Sequence, residues 1–142
     1  HKAIRRQRQM CIRDRHYNVV AAVVCHDGKF LCMQKGKTKF EYTSYKWEFP
    51  GGKIEPGETP QQALARELME EMEYPVEVGV ELVTVNHEYP DFSITMTAFL
   101  CTPKAEADGF KRREHADSKW CSKEKLKGLD WAAADVGIVR IL

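Results

Sequence analysis

Three glutamates, Glu67, Glu70 and Glu71, stand at i, i+3 and i+4. On a helix that spacing puts their carboxylates on one face within a single turn. Like charges this close repel, by about 0.2–0.5 kcal/mol per pair when solvated. A divalent cation between them reverses the sign, and hard oxygen donors suit Mg²⁺ or Mn²⁺. A solvated, Glu-rich helix face has the same spacing. What surrounds the three acids decides between the two.

The residues that must position them come first in the chain. Gly51-Gly52-Lys53-Ile54-Glu55-Pro56-Gly57-Glu58 reads as a glycine-rich loop feeding directly into the helix. Thr59 suits the N-cap, Pro60 the first helical position, and Gln62 completes a Thr-x-x-Gln capping box. Ala63, one turn before Glu67, shares the glutamate face and is small enough to leave room above it. Ala65, Leu68, Met69 and Met72 gather on the side expected to be buried. Pro75 biases Tyr74 away from helix, so the helix stops there.

Residues 18–25 (NVVAAVVC) form a continuous β-branched run, as for a strand buried on both faces. Asp27-Gly28 supplies a hairpin turn and residues 30–34 return as its partner. Residues 35–46 make a polar loop bearing Lys35, Lys37, Lys39 and Lys46 with Phe40, Tyr42 and Tyr45, and a short strand at 47–49 leads into the Gly51-Gly52 turn. Beyond the central helix, strands are expected at 76–88, with Gly79 at a bulge, at 92–102 and at 116–121. A loop spans 103–113, a helical turn covers 122–126, and residues 133–142 have helical composition. Strands interleaved with helices imply an α/β fold with a sheet covered on two faces.

At 142 residues the chain suits one domain with a real core. No apolar run approaches the roughly 20 residues of a membrane span. Five cysteines, odd in number and without CxxC spacing, read as reduced thiols of a cytoplasmic protein. Residues 1–15 carry six Lys/Arg against Asp14, a local +5 in a chain of net +1, which leaves −4 on the remainder. Lacking apolar periodicity, aromatics and a signal-peptide core, residues 1–15 are read as a disordered or artefactual basic tail, with the domain over 16–142. A nucleic-acid-binding arm is the competing reading of the same charge.

Taken in order, Gly52, Glu58 and Arg66-Glu67-Leu68-x-Glu70-Glu71 resemble the Nudix box, the signature of hydrolases acting on a nucleoside diphosphate linked to another group. One position departs: Glu73 stands where the family usually has Gly. Glycine there would suit a left-handed cap, so Glu73 costs about 1 kcal/mol if that geometry is kept. The resemblance implies the Nudix α/β/α sandwich with a mixed β-sheet. It also implies Glu70, Glu71 and the Gly52 carbonyl as metal ligands and Glu67 as ligand or base. Arg66 would orient the glutamates and Glu58 would brace the loop.

MutT-like members place a further acid six residues before a strand tryptophan, where this chain has Glu114 before Trp120. The run Glu114-His115…Trp120-Cys121-Ser122 resembles the CTP pyrophosphohydrolase branch, so Glu114 is a candidate ligand or general base. A solvated loop charge is the alternative, and His115 reads as a surface histidine. By the same resemblance Lys35 touches the triphosphate, and Phe49 lies under the base with Tyr89 and Phe92 nearby, although core packing would place the same aromatics. Asp135 would face the base. As an ionised carboxylate it would only accept hydrogen bonds, favouring an amino donor such as cytosine N4 or a purine presenting N–H groups. A helix N-cap is its other reading.

The resemblance thus implies a Mg²⁺-dependent nucleoside triphosphate pyrophosphohydrolase, with Mn²⁺ as a substitute, releasing monophosphate and pyrophosphate. Its substrate would be 8-oxo-dGTP in nucleotide-pool sanitising that spares DNA repair, or CTP and 5-modified dCTP. No membrane or nucleic-acid partner is expected of a cytoplasmic monomer or homodimer. Two other readings compete: a non-catalytic, nucleotide-sensing module of the same fold, and a hydrolase of another nucleoside diphosphate-linked compound.

Overall fold

The computed structural model describes residues 15–142. Apart from Arg15, the expected basic tail of residues 1–15 lies outside the described residues. The organising strand is β1 (His16–His26). Val20, Ala22 and Val24 project into one core, and Ala21 and Val23 into the other. That is why its apolar run is continuous: both faces are covered.

Along one edge β1 runs parallel to β6 (Ser93–Pro103), from His16 opposite Ser93 to Val24 opposite Cys101. Along the other edge it changes partner midway. Val19–Ala21 pair antiparallel with β4 (Gly51–Lys53), whereas Cys25 and His26 pair with β2 (Lys29–Lys35). Asp27 and Gly28 both have positive φ, 52° and 73°, as a two-residue hairpin turn requires. The sheet order is β3-β2-β1-β6-β5, with β3 (Trp47–Glu48) and β5 (Val76–Glu88) at its ends. Strand β7 (His115–Ser122) pairs with β2, and β4 joins β1. The register shifts of β5 fall around Glu81, and the first takes in Gly79. One parallel pair among antiparallel ones makes the sheet mixed.

Helix α1 (Pro60–Met72) covers one face, and α2 (Lys123–Leu126) and α3 (Ala133–Val139) cover the other. This is the expected α/β/α sandwich. Two local expectations are corrected. The buried stripe of α1 is Ala63, Leu64, Leu68 and Met72, not one holding Ala65 and Met69, and Met69 is exposed. Leu64, Leu68 and Met72 recur every fourth residue and set the rotation, which turns Met69 to solvent. Gly51-Gly52 is strand rather than turn. A Cβ on Gly51 would lie 1.9 Å from the Val20 carbonyl oxygen, so only glycine lets β4 pair this closely with β1.

Among the described residues, no helix is long and apolar enough to cross a membrane.

Candidate active site

The glycine loop and α1 are locked together before any ligand arrives. Thr59 Oγ1 accepts from Gln62 N at 3.1 Å and Gln62 Oε1 accepts from Thr59 N at 3.0 Å, the expected capping box. Arg66 then ties helix to loop. Its Nε and Nη2 donate to the two Glu58 oxygens at 2.6 and 2.9 Å, and Nη2 also reaches the Lys53 carbonyl at 3.0 Å. Glu58 in turn accepts from Glu55 N at 2.9 Å. The Arg66 bond holds the Glu58 carboxyl below its ordinary range, and the same bond raises the guanidinium above its own. The remaining Arg66 nitrogen, Nη1, donates to Glu67 and Glu70, 3.1 Å each. A planar five-donor fork is the one side chain able to serve four acceptors at once.

With Leu64, Leu68 and Met72 fixed in the core, Glu67 and Glu71 are carried over β4. Gly52 faces Glu67 directly: an added Cβ would lie 2.3 Å from the Glu67 carboxyl carbon. Glu71 is the electrostatic centre of the site. Burial pushes its carboxyl up to about 8, reinforced by the charges of Glu67, Glu114 and Glu48 and by a hydrogen bond to Glu67. The charges of Glu67, Glu114 and Glu48 thus all bear on Glu71, which holds a proton that a water-exposed carboxylate would shed. Glu70 sits at the exposed rim, drawn to Arg66. Glu114 is exposed in the turn before β7, within electrostatic reach of Glu71.

Beside these acids opens a cleft of about 520 Å³, bounded by Tyr17, Val19 and Val20 of β1, by β4, and by Lys35 at the end of β2. Lys35, Lys39 and Lys53 line it, as do Gly52, Tyr89, Phe92, Phe49 and Asp135. Tyr89 and Phe92 lie 4.9 Å apart at the cleft wall. The lysine-rich loop is stacked down on them: Phe40 on Tyr42 at 5.1 Å, and Tyr42 on Tyr89 at 5.6 Å. Tyr42 Oη also donates to Asp91 Oδ2 at 2.7 Å. Phe40 and Tyr42 thus pack the loop, while Tyr45 is exposed. Phe49 is almost wholly buried, its ring stacked on Trp131 at 4.7 Å.

Asp135 is not an N-cap. It lies in the first turn of α3, 5% exposed, and its Oδ1 accepts from Phe49 N at 3.0 Å. Burial pushes its carboxyl up to about 8, with the Glu48 charge adding to the rise. At neutral pH it is therefore largely a neutral acid, able to donate as well as accept, where the sequence alone suggests an acceptor. Lys35 neighbours it. Burial pulls the ammonium down, but the Glu48 and Asp135 charges outweigh burial and hold it above its ordinary value.

Two residues of this constellation escape a reading of the sequence. Glu48 joins both halves, its oxygens 3.4 Å from Lys35 Nζ and 3.0 Å from His115 Nε2. The His115 side chain is only 4% exposed, so it is no surface histidine. Among the described residues its Nδ1 has no hydrogen-bond partner. The one available signal was strand register, because Lys35 pairs with His115 while its neighbour Gln34 pairs with Trp47.

Comparison with known proteins agrees with this fold. The NUDIX domain family model matches residues 14–140. The chain belongs to the NUDIX family. A Proteus vulgaris protein named 8-oxo-dGTP diphosphatase is 42% identical over 87 residues, covering 60% of this chain and 75% of its own. The CTP pyrophosphohydrolase of Escherichia coli K12 is 32% identical over 133 residues, covering 85% and 87%. Among solved structures, the E. coli ORF135 protein superposes with a TM-score of 0.75 at 32% identity, covering 89% of this chain and 87% of that one.

Nudix hydrolases generally use a divalent metal, and the residues here fit one. The donors are hard oxygens, the missing side chain of Gly52 leaves room for the Glu67 carboxyl against β4, and burial, with the charges of Glu67, Glu114 and Glu48, holds Glu71 protonated. Among the described residues no three Asp, Glu, His or Cys side chains by themselves close around an ion position. Glu67 and Glu70 lean on Arg66 instead.

Proposed function

We propose that this chain is a Mg²⁺-dependent nucleoside triphosphate pyrophosphohydrolase that releases a nucleoside monophosphate and pyrophosphate. The observation that carries the reading is the join between two unlike halves. The carboxylates around Glu71 meet, through Glu48 and through Gly52 beside Glu67, a cleft whose walls supply lysines, stacked aromatics and a buried acid. A nucleotide has the same polarity along its length, with a polyanion at one end and a flat heterocycle at the other.

Each residue then has a task set by its position. Glu71, Glu70, Glu67 and the Gly52 carbonyl would hold the magnesium, which when bound neutralises polyphosphate charge. Glu67 or Glu114 takes a proton from the attacking water, and Arg66 keeps the glutamates oriented. Lys35, aided by Lys39 and Lys53, offsets the charge of the triphosphate. Tyr89 and Phe92 flank the base, Phe49 closes the pocket floor, and Asp135 meets the base edge. A neutral Asp135 presents one donor and one acceptor, a match for bases that offer both on one edge. The favoured substrates are 8-oxo-dGTP, which would make the enzyme a guardian of the nucleotide pool, and CTP or 5-modified dCTP.

The test is a panel of ordinary and oxidised nucleoside triphosphates with Mg²⁺, separating pyrophosphate from orthophosphate release. Pyrophosphate as the inorganic product with one of the favoured substrates is expected. Tight nucleotide binding with no Mg²⁺-dependent product would assign the chain to a sensing role instead.

A further inference from the structure

Glu73 is held in a conformation that its side chain disfavours. It closes α1 with φ 48° and ψ 41°, in the left-handed region where a Cβ is strained and glycine is preferred. Its N–H reaches the Met69 carbonyl at 3.0 Å, and Tyr74 N reaches Leu68 O at 3.2 Å, bonds that glycine would make equally well. Local backbone chemistry therefore gives no reason for a glutamate.

Its carboxylate has one. Glu73 Oε2 pairs with Arg113 Nη2, and with Lys111 Nζ at 2.9 Å. Both cations belong to the segment between β6 and β7. The same two residues satisfy helix-end carbonyls: Lys111 N donates to Met72 O at 2.8 Å, and Arg113 Nη1 to Glu70 O at 3.1 Å. Tyr74 holds the rest of that segment, with its hydroxyl 3.2 Å from the Glu106 carbonyl and its ring edge-on to Phe110 at 5.5 Å. The next residue after Arg113 is Glu114, whose charge bears on Glu71. Half-exposed ion pairs such as these add little to stability, so their effect is geometric.

We infer that Glu73 is a positioning residue: by clamping Lys111 and Arg113 to the end of α1, it sets where Glu114 stands relative to Glu71. The inference rests on the functional reading above, in which Glu114 belongs to the site. Placement of one carboxylate against another then depends on a side chain that touches neither substrate nor metal.

Two variants separate the clamp from the strain. Glu73→Gly removes both, and Glu73→Gln removes the charge while keeping the left-handed non-glycine residue. Steady-state turnover, thermal unfolding and amide exchange at Lys111 are measured for each beside wild type. Both variants are expected to lose about tenfold in kcat with KM within twofold, the scale typical of lost support around a metal site. Lys111 exchange should quicken at least about tenfold as the segment loosens, while Tm of Glu73→Gly is no lower than wild type. Wild-type kcat or unchanged Lys111 exchange in both variants overturns the inference. So does a loss in Glu73→Gln alone, or one that tracks Tm. A wild-type protein inactive on every triphosphate sinks the functional reading and the positioning role with it, whereas variants as active as a working wild type sink the positioning role alone.

Discussion

Gly52 and Glu67 are packed so closely that a β-carbon on the glycine would lie 2.4 and 2.7 Å from the two carboxylate oxygens. The obstructing atoms are the far end of a flexible side chain, so Gly52→Ala displaces the carboxylate and leaves the fold in place. Activity should drop about 10- to 100-fold with Tm nearly unchanged. Gly57 provides the opposite signature. It has φ 83° with open space around it, so Gly57→Ala should cost about 1 kcal/mol in stability and leave kcat intact. Thermal melts and steady-state kinetics on both variants check the pair; a Gly52→Ala enzyme with wild-type kcat would remove Glu67 from the chemistry.

Glu71 links pH, metal and stability. Its carboxyl is raised from an ordinary 4.5 to about 8 in the folded chain. A folded-state value above the unfolded one means stability is fully present below about 4.5 and is lost as pH rises towards 8. In EDTA, Tm should therefore fall across that range, and Glu71→Gln should flatten the fall. On the proposed reading magnesium displaces this proton, so its affinity should weaken by up to about tenfold per pH unit below 8. If Glu71 holds the metal as proposed, turnover by Glu71→Gln should drop by at least about 100-fold, since a ligand matters more than its supports. Calorimetric magnesium titrations at several pH values measure the linkage, and a pH-independent affinity would contradict it.

How much of this was legible in the sequence depends on the range over which each feature is encoded. The Thr59–Gln62 cap and the Asp27-Gly28 turn are local, and each stands as the residues imply. The double-faced burial of β1 was readable from an unbroken apolar run. Glu48 and His115 were not readable, because they meet only after β3 and β7 have both paired with β2. Nor was the protonation of Asp135, which follows from burial beneath Phe49 rather than from its neighbours in sequence. Ala65 and Met69 lie off the buried stripe of α1 because Leu64, Leu68 and Met72 meet the sheet and set the rotation of the helix.

Arg66 separates charge from shape. Arg66→Lys keeps a cation but cannot bond both Glu58 oxygens, the Lys53 carbonyl, Glu67 and Glu70 together. The loop should loosen from α1, lowering activity about 10- to 100-fold and weakening magnesium binding with it. Lysine at wild-type kcat and magnesium affinity would reduce Arg66 to a simple surface charge.

Asp135 yields the sharpest pH prediction, because Asn is a near-isosteric copy of its neutral form. The carboxyl is raised from 3.8 to about 8, chiefly by burial. Its contribution to stability is thus complete below about 3.8 and disappears as pH climbs through 8. Asn keeps the oxygen that accepts from Phe49 N and never ionises. The two proteins should melt closest to each other near pH 4, and the lead of Asp135→Asn should widen steadily from there to pH 8 and level off above it. If the same proton is what the base edge accepts, Asp135→Asn should also retain kcat/KM near neutrality and lose the alkaline decline of wild type. Melting curves that run parallel from pH 5.5 to 9 would show that Asp135 is already ionised in the native protein, and the donor-and-acceptor reading of the base pocket would fall with them.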